Sequence, residues 1–157
     1  MDINECKKDV DLHLVLGNQL FPISNVDEIK PAKIYMREDY GLCTYEKHHK
    51  HKITLFLSSM RSYKDYLNKH CYKVHYEYLN TDNSISYIDS LRRYINNEEI
   101  KIMSIWTIED KWFEKIIKKI SGELDELIMV DSPMFLTNRD EFKSMCPKTA
   151  KPTYKMT

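Results

Sequence analysis

Glycine is scarce in this chain, with three in 157 residues, and Gly17, Gly41 and Gly122 lie too far apart for a G-x-G-x-x-G turn. No Walker lysine follows any of them, so neither a dinucleotide fingerprint nor a triphosphate-cradling loop is present. The four cysteines (Cys6, Cys43, Cys71, Cys146) include no C-x-x-C pair. That spacing argues against a zinc ribbon and a disulfide framework, and fits reduced thiols in the cytoplasm. No apolar run approaches 18 residues and the first ten residues are polar, so neither a membrane span nor an export signal is expected. An excess of either charge is also missing: 24 Lys and Arg balance 24 Asp and Glu, and a nucleic-acid partner would need a local basic patch. H-E-x-x-H, a nucleophile elbow and paired catalytic carboxylates are all absent, as are internal repeats.

What remains is an alternation of short apolar runs and helical stripes. Leu12 to Leu16 reads as a buried strand stopped by Gly17-Asn18, and Lys33 to Met36 as a second strand ending at Arg37-Glu38. Between them Pro22, Ser24 and Asn25 mark a loop with room for one helical turn. Asp39-Tyr40-Gly41 reads as loop, with Thr44 as the N-cap of a long helix whose stripe is Ile53, Phe56, Leu57, Met60, Tyr63 and Leu67. Tyr72 to Leu79 alternates with period two. A helix from Tyr87 capped by Ser84 or Ser86, a strand over Lys101 to Ile105, and a helix through Trp112 and Ile120 stopped by Gly122 follow. A fifth strand, Leu124 to Val130, precedes a short helix capped by Thr137. Regular alternation predicts an α/β, doubly wound, five-stranded parallel Rossmann-like sheet with helices on both faces. The expected organisation is a flexible segment over 1–10, one α/β domain over 11–146, and a Lys-rich tail over 147–157.

In such sheets ligands sit outside the carboxyl ends of the strands, where strand order reverses. That rule selects Gly17, Asn18, Gln19 and Leu20 after the first strand, Glu38 after the second, Trp106 after the fourth and Asp131 after the fifth. The Gly17-Asn18 pair also suits an ordinary strand-ending turn, and the two tryptophans suit core or interface positions better than stacking platforms. Tyr45-Glu46-Lys47-His48-His49-Lys50-His51-Lys52 puts cationic and imidazole groups where a helix N-terminus already carries roughly half a positive charge, which marks it as a site for an anion or polarisable ligand. A helix starting at Thr44 turns Tyr45, His49 and Lys52 inward and leaves His48, Lys50 and His51 exposed, with Glu38 as the anionic partner of Lys52. The three histidines do not share one face, so no metal is assigned to them.

The strings Leu16-Gly17-Asn18-Gln19-Leu20, then Glu38, Thr44-Tyr45, His48-His49-Lys50-His51-Lys52-Ile53 and Ser58-Ser59-Met60-Arg61 resemble those of the deoxyribodipyrimidine photolyase-related proteins. This is the bacterial group of iron–sulfur cryptochromes and (6-4) photolyases. The likeness runs from about residue 11 to 156, and covers only the amino-terminal α/β domain of such proteins. It implies a fragment whose continuation, a larger helical domain, carries FAD, a 4Fe-4S cluster and the surface for damaged DNA. It further implies an antenna such as 6,7-dimethyl-8-ribityllumazine in the α/β domain, with Gly17, Gln19, Leu20, Glu38, Tyr45, His48, His49 and Lys52 at the matching positions. Asn18 stands where lumazine-binding relatives commonly have Asp, and Leu42-Cys43 where they have an acidic residue.

The expected function is therefore an antenna-binding and scaffolding domain of a light-dependent DNA photolyase or cryptochrome-like flavoprotein, not catalytic alone. Packing on the flavin domain would leave an exposed apolar patch on the isolated domain, through which it could form a homodimer. The competing expectations are a stand-alone small-molecule or nucleotide-binding regulatory domain, and an enzyme using His49, Lys52 and Glu38 on phosphoesters.

Overall fold

The computed structural model describes residues 9–79 and 85–145. Its strands β1 (Leu12–Leu14), β2 (Lys33–Arg37), β3 (Val74–Glu77), β4 (Ile102–Trp106) and β5 (Glu126–Val130) alternate with helices α1 (Ile23–Ile29), α2 (Tyr40–Thr44), α3 (Lys50–Lys69), α4 (Tyr87–Asn97), α5 (Lys111–Ile120) and α6 (Arg139–Met145). All strand pairs are parallel and the order is β3-β2-β1-β4-β5, the doubly wound arrangement expected from the alternation.

Period-two geometry sends alternate side chains of the inner strands to two covered faces, so both faces are mainly apolar, with His13 of β1 and Ser104 of β4 buried among them. Leu12, Leu14, Tyr35, Met103 and Ile105 face one way into a core closed by Leu91 and Ile95 of α4 and Ile117 and Ile120 of α5. Val15, Ile34, Met36 and Trp106 face the other way, against Val26 of α1 and Met60, Tyr63 and Leu67 of α3. The chain winds from β1 out to β3 and returns to lay β4 on the opposite side of β1, so the strand order reverses between β1 and β4.

Helix starts follow side-chain capping. The Ser86 Oγ accepts the Asp89 N–H and donates to the Asp89 carboxylate, and Asp110 accepts the N–H groups of Trp112 and Phe113. Several boundaries differ from the sequence reading. The Pro22 to Asn25 loop holds a seven-residue helix rather than one turn, closed by Lys30 in the left-handed region. Asp39-Tyr40-Gly41 is not loop: Asp39 accepts the Gly41 N–H at 3.0 Å and caps α2. Thr44 consequently ends a helix instead of starting one, its Oγ1 donating to the Tyr40 carbonyl. The long helix begins at Lys50, capped by His49, whose Nδ1 accepts the His51 N–H at 3.2 Å. Asn138, not Thr137, caps α6: it accepts from Asp140 and Glu141 and its own N–H goes to the Glu141 carboxylate, a reciprocal box. Finally α5 closes through a 3-10 turn, Ser121–Glu123, and Gly122 takes no left-handed conformation there. Of the alternative caps for α4, Ser84 lies outside the described residues, as do Cys6, Cys146 and the whole of the expected tail.

No helix among the described residues is long and apolar enough to cross a membrane.

Candidate functional site

Because all five strands run the same way, the residues after them share one rim. Gly17 lies at its centre, under α3. A Cβ built there would stand 2.4 Å from Phe56 Cζ and 2.8 Å from Met60 Sδ, so any other residue would force these two side chains of α3 to shift. The turn continues with the Gln19 N–H on the Leu16 carbonyl at 2.9 Å.

Gln19 spans the switch point. Its Nε2 donates to the carbonyls of Trp106 at 3.3 Å and Thr107 at 3.1 Å, tying the loop after β1 to the end of β4. Flipping the amide would press Oε1 against two carbonyl oxygens, so the orientation is set by the acceptors. Oε1 is then left buried with no partner among the described residues. The other such atom is Nε2 of His13, in the middle of β1. The His13 Nδ1 lies 2.7 Å from the Ser104 Oγ of the adjacent strand, and its ring stands edge-on to Trp106 at 4.2 Å. Burial pushes this imidazole down to about 3, with Ser104 opposing, so it is neutral at physiological pH.

Glu38, after β2, is the most heavily bonded side chain of the rim. Its side chain has no exposed surface, and Arg61 of α3 meets it with Nε at 2.6 Å and Nη2 at 2.9 Å. The Tyr76 hydroxyl donates to Oε1 at 2.6 Å and the Leu79 N–H to Oε2 at 2.7 Å. Burial alone would raise this carboxyl, but the bonds from Arg61, Tyr76 and Leu79 outweigh it and hold it below the ordinary range. The expected Lys52–Glu38 pair does not form, because Arg61, nine residues further along α3, takes that position.

The cationic segment joins α2 to α3 and enters the first turn of α3. Tyr45 to His48 precede α3, so the helical wheel does not apply to them, and Tyr45 is two-thirds exposed, its ring edge-on to His48 at 5.1 Å. His49 and Lys52 are exposed, contrary to the inward placement from the stripe, as are Lys50 and His51; His48 is half-buried, 3.5 Å from the Lys52 ammonium. Lys52 and Phe56 do share a helical face, one turn and about 6 Å apart. Phe56 lies over Gly17 while Lys52, one turn earlier, is exposed; periodicity reports which face a residue occupies, not whether anything covers it. Asn18 is exposed, Leu20 packs on the α1/α3 core, and Leu20 and Leu55 border an open groove of about 530 Å³ along α3 with Ser58, Ser62 and Tyr66. Trp106 is core, whereas Asp131 is exposed and receives a 3.4 Å bond from Asn138. His49, Lys52 and Glu38 do not assemble into a catalytic trio, since Glu38 is enclosed by Arg61 and the Nδ1 of His49 serves its own helix.

Sequence reasoning quoted Arg61 only within the Ser58-Ser59-Met60-Arg61 string, gave it no role, and overlooked Tyr76 and Tyr78. Two signals point to them: an arginine beside the apolar stripe of α3, and tyrosines alternating along β3, where Tyr76 is in register with Met36. Arg61 also lies over the Tyr78 ring at 5.4 Å, and Lys64 donates to the Tyr78 hydroxyl at 2.9 Å.

The rim therefore offers the strand-order switch point, an acceptor on Gln19 with no partner among the described residues, a satisfied carboxylate, and exposed imidazole, ammonium and phenol groups. No curated protein matches the chain. The profile of the deoxyribodipyrimidine photo-lyase-related proteins matches residues 13–157, so this chain belongs to that family.

Proposed function

We propose that this chain is the antenna-binding and scaffolding α/β domain of a light-dependent photolyase- or cryptochrome-like flavoprotein, with no catalytic residues of its own. The observation that carries this reading is the meeting of the family motifs at the switch point: Gly17 receives Phe56, Gln19 ties β1 to β4, and the His49–Lys52 face continues directly from Phe56.

A 6,7-dimethyl-8-ribityllumazine bound there would supply absorption in the near-ultraviolet and violet and pass the excitation to a flavin. Its ring edge and ribityl chain need hydrogen-bond donors and acceptors beside an apolar floor. Asn18, Tyr45, His48, His49 and Lys52 are polar groups able to hold it, the buried Oε1 of Gln19 is an acceptor lacking a partner among the described residues, and Phe56 and Leu20 supply apolar surface. Glu38 does not fit as a contact, because it is enclosed and fully bonded.

For the scaffolding role the support is an apolar surface: Trp112, Phe135, Leu136, Phe142 and Met145 are all more than half exposed. Such surface suits an interface with a helical domain carrying FAD and a 4Fe-4S cluster, through which the whole protein would meet damaged DNA.

Adding lumazine to protein purified in the dark should quench or shift its fluorescence saturably at one site per chain. A protein that leaves lumazine fluorescence unchanged would remove the antenna assignment and leave the family membership standing.

A further inference from the structure

Helix α3 carries two stripes of the same spacing. Phe56, Met60, Tyr63 and Leu67 go inward onto the sheet. Leu55, Ser59, Ser62 and Tyr66, each one residue earlier, repeat the four-three-four interval about 100° further round the helix. That is the interval along which a second helix packs. Among the described residues the second stripe is left open: Leu55 is 70% exposed and, with Leu20 and Tyr66, borders the groove of about 530 Å³ along α3.

The floor of this groove is low and its hydroxyl protons are engaged. The Ser59 Oγ donates to the Leu55 carbonyl at 2.8 Å, and the neighbouring Ser58 and Thr54 hydroxyls donate to the Thr54 and Lys50 carbonyls at 2.6 and 3.0 Å. Hydroxyls folded back on their own helix have no proton to give a phosphate, but their small size lets another backbone come close.

Charge around the groove is of one sign. The same interval reaches Lys52 before Leu55 and Lys69 after Tyr66, both exposed, so an ammonium group stands at either end. From Lys47 to Lys73 the chain has seven lysines and arginines against one acid, Asp65, in a protein whose total is zero. Asp65 pairs with Lys64, about a quarter-turn of the helix away from the open stripe. A second copy of α3 would bring like charge to this face. Residues 146–157 carry Lys148, Lys151 and Lys155 and no acid, so they do not complement it either.

We propose that this groove docks an acidic amphipathic helix of a partner protein. Its apolar residues lie on Leu20, Leu55 and Tyr66, its backbone passes over Ser59 and Ser62, and its carboxylates face Lys52 and Lys69. Docking there is independent of the antenna reading, with Lys52 and Leu20 the residues common to both.

The test uses 15N-labelled protein and a synthetic peptide of about 18 residues, long enough to form a helix, with leucines at the four-three-four interval and mostly glutamate elsewhere. A scrambled peptide of the same composition and a short DNA duplex are the comparisons. The patterned peptide is expected to shift the backbone amides of residues 55–66 and to bind about tenfold tighter than the scrambled one. Leu55→Ser removes a wall and Ser62→Arg fills the floor; both positions are exposed, and amide spectra establish that each variant is folded. Each should weaken the patterned peptide by about tenfold, the size of one leucine's burial. Should one of them not fold, the other decides. Lys69→Glu should weaken it by about fivefold at low salt and less at high salt. Equal binding of the scrambled peptide, no amide shift over 55–66 at millimolar peptide, or unchanged affinity in these variants overturns the proposal. A duplex that shifts the same amides and displaces the peptide also overturns it, and makes this face a nucleic-acid surface instead.

Discussion

Arg37 and Glu38, consecutive at the end of β2, hold opposite ends of the connection from β3 to α4. The Glu38 carboxylate accepts the Leu79 N–H, while Arg37 donates to the carbonyls of Ile85 and Ser86 at 2.9 and 2.8 Å. In a strand consecutive side chains point to opposite faces, which is how neighbours reach two different places. One dipeptide thus ties the sheet edge to the start of α4 and, through Arg61, to α3.

Glu38→Ala should destabilise the domain by roughly 2–4 kcal/mol, since it removes a buried carboxylate and strands the Tyr76 hydroxyl and the Leu79 N–H. Urea unfolding at pH 7 measures this. The folded pKa of Glu38 lies below the ordinary carboxylate value, so its contribution is present above that ordinary value and is lost as pH falls through the folded one. The gap between wild type and Glu38→Ala should therefore narrow in acid.

His13 predicts acid sensitivity at a higher pH. Its folded pKa of about 3 lies below the unfolded value near 6.5, so the unfolded chain binds the proton first. Stability should fall by about 1.4 kcal/mol per pH unit as pH drops from about 6.5 towards 3, or roughly 2 kcal/mol by pH 5. Unfolding curves at pH 7 and pH 5 test the slope, and His13→Leu should flatten it across that window.

Gly17→Ala should cost about 1–3 kcal/mol, because the new methyl meets the ring of Phe56 and the sulfur of Met60 below van der Waals distance. Phe56→Leu in the same chain should recover part of the loss, and a double-mutant cycle by thermal melting reports the coupling. Additive costs would mean that α3 does not press on Gly17.

Arg139 fastens α6 to the body of the domain, with Nη1 on the Glu114 carboxylate at 2.8 Å and Nη2 on the Ile108 carbonyl. Lys118 also holds Glu114, at 2.6 Å, so Arg139→Ala should loosen α6 without unfolding α5. Amide exchange over 139–145 should then speed up markedly while exchange over 111–120 stays close to wild type.

The layering of this domain was legible in the residues one after another. β1, β2 and β4 are mainly apolar on both faces because both faces are covered, and α4 and α5 carry stripes facing one core. The rim followed by topology alone: parallel strands with a reversal beside β1 bring Gly17, Glu38 and Trp106 to one edge whatever their neighbours are. Local capping was less legible. Asp39, His49 and Asn138 each compete with a nearby Thr, and hydrogen bonds over two or three residues settle which one starts a helix.

Partnership at the rim belonged to packing in three dimensions. Lys52 and Arg61 border the stripe of α3 on opposite sides, about two and a half turns apart, and nothing local says which side Glu38 will meet. The answer depends on which side of α3 turns towards β2 and β3 and how far the helix slides along the sheet, and both are set where Phe56 and Met60 settle on Gly17, a contact across about forty residues of chain. Period and composition act over a few residues and determine which faces are apolar; the translation of one element over another is fixed only when the faces interlock.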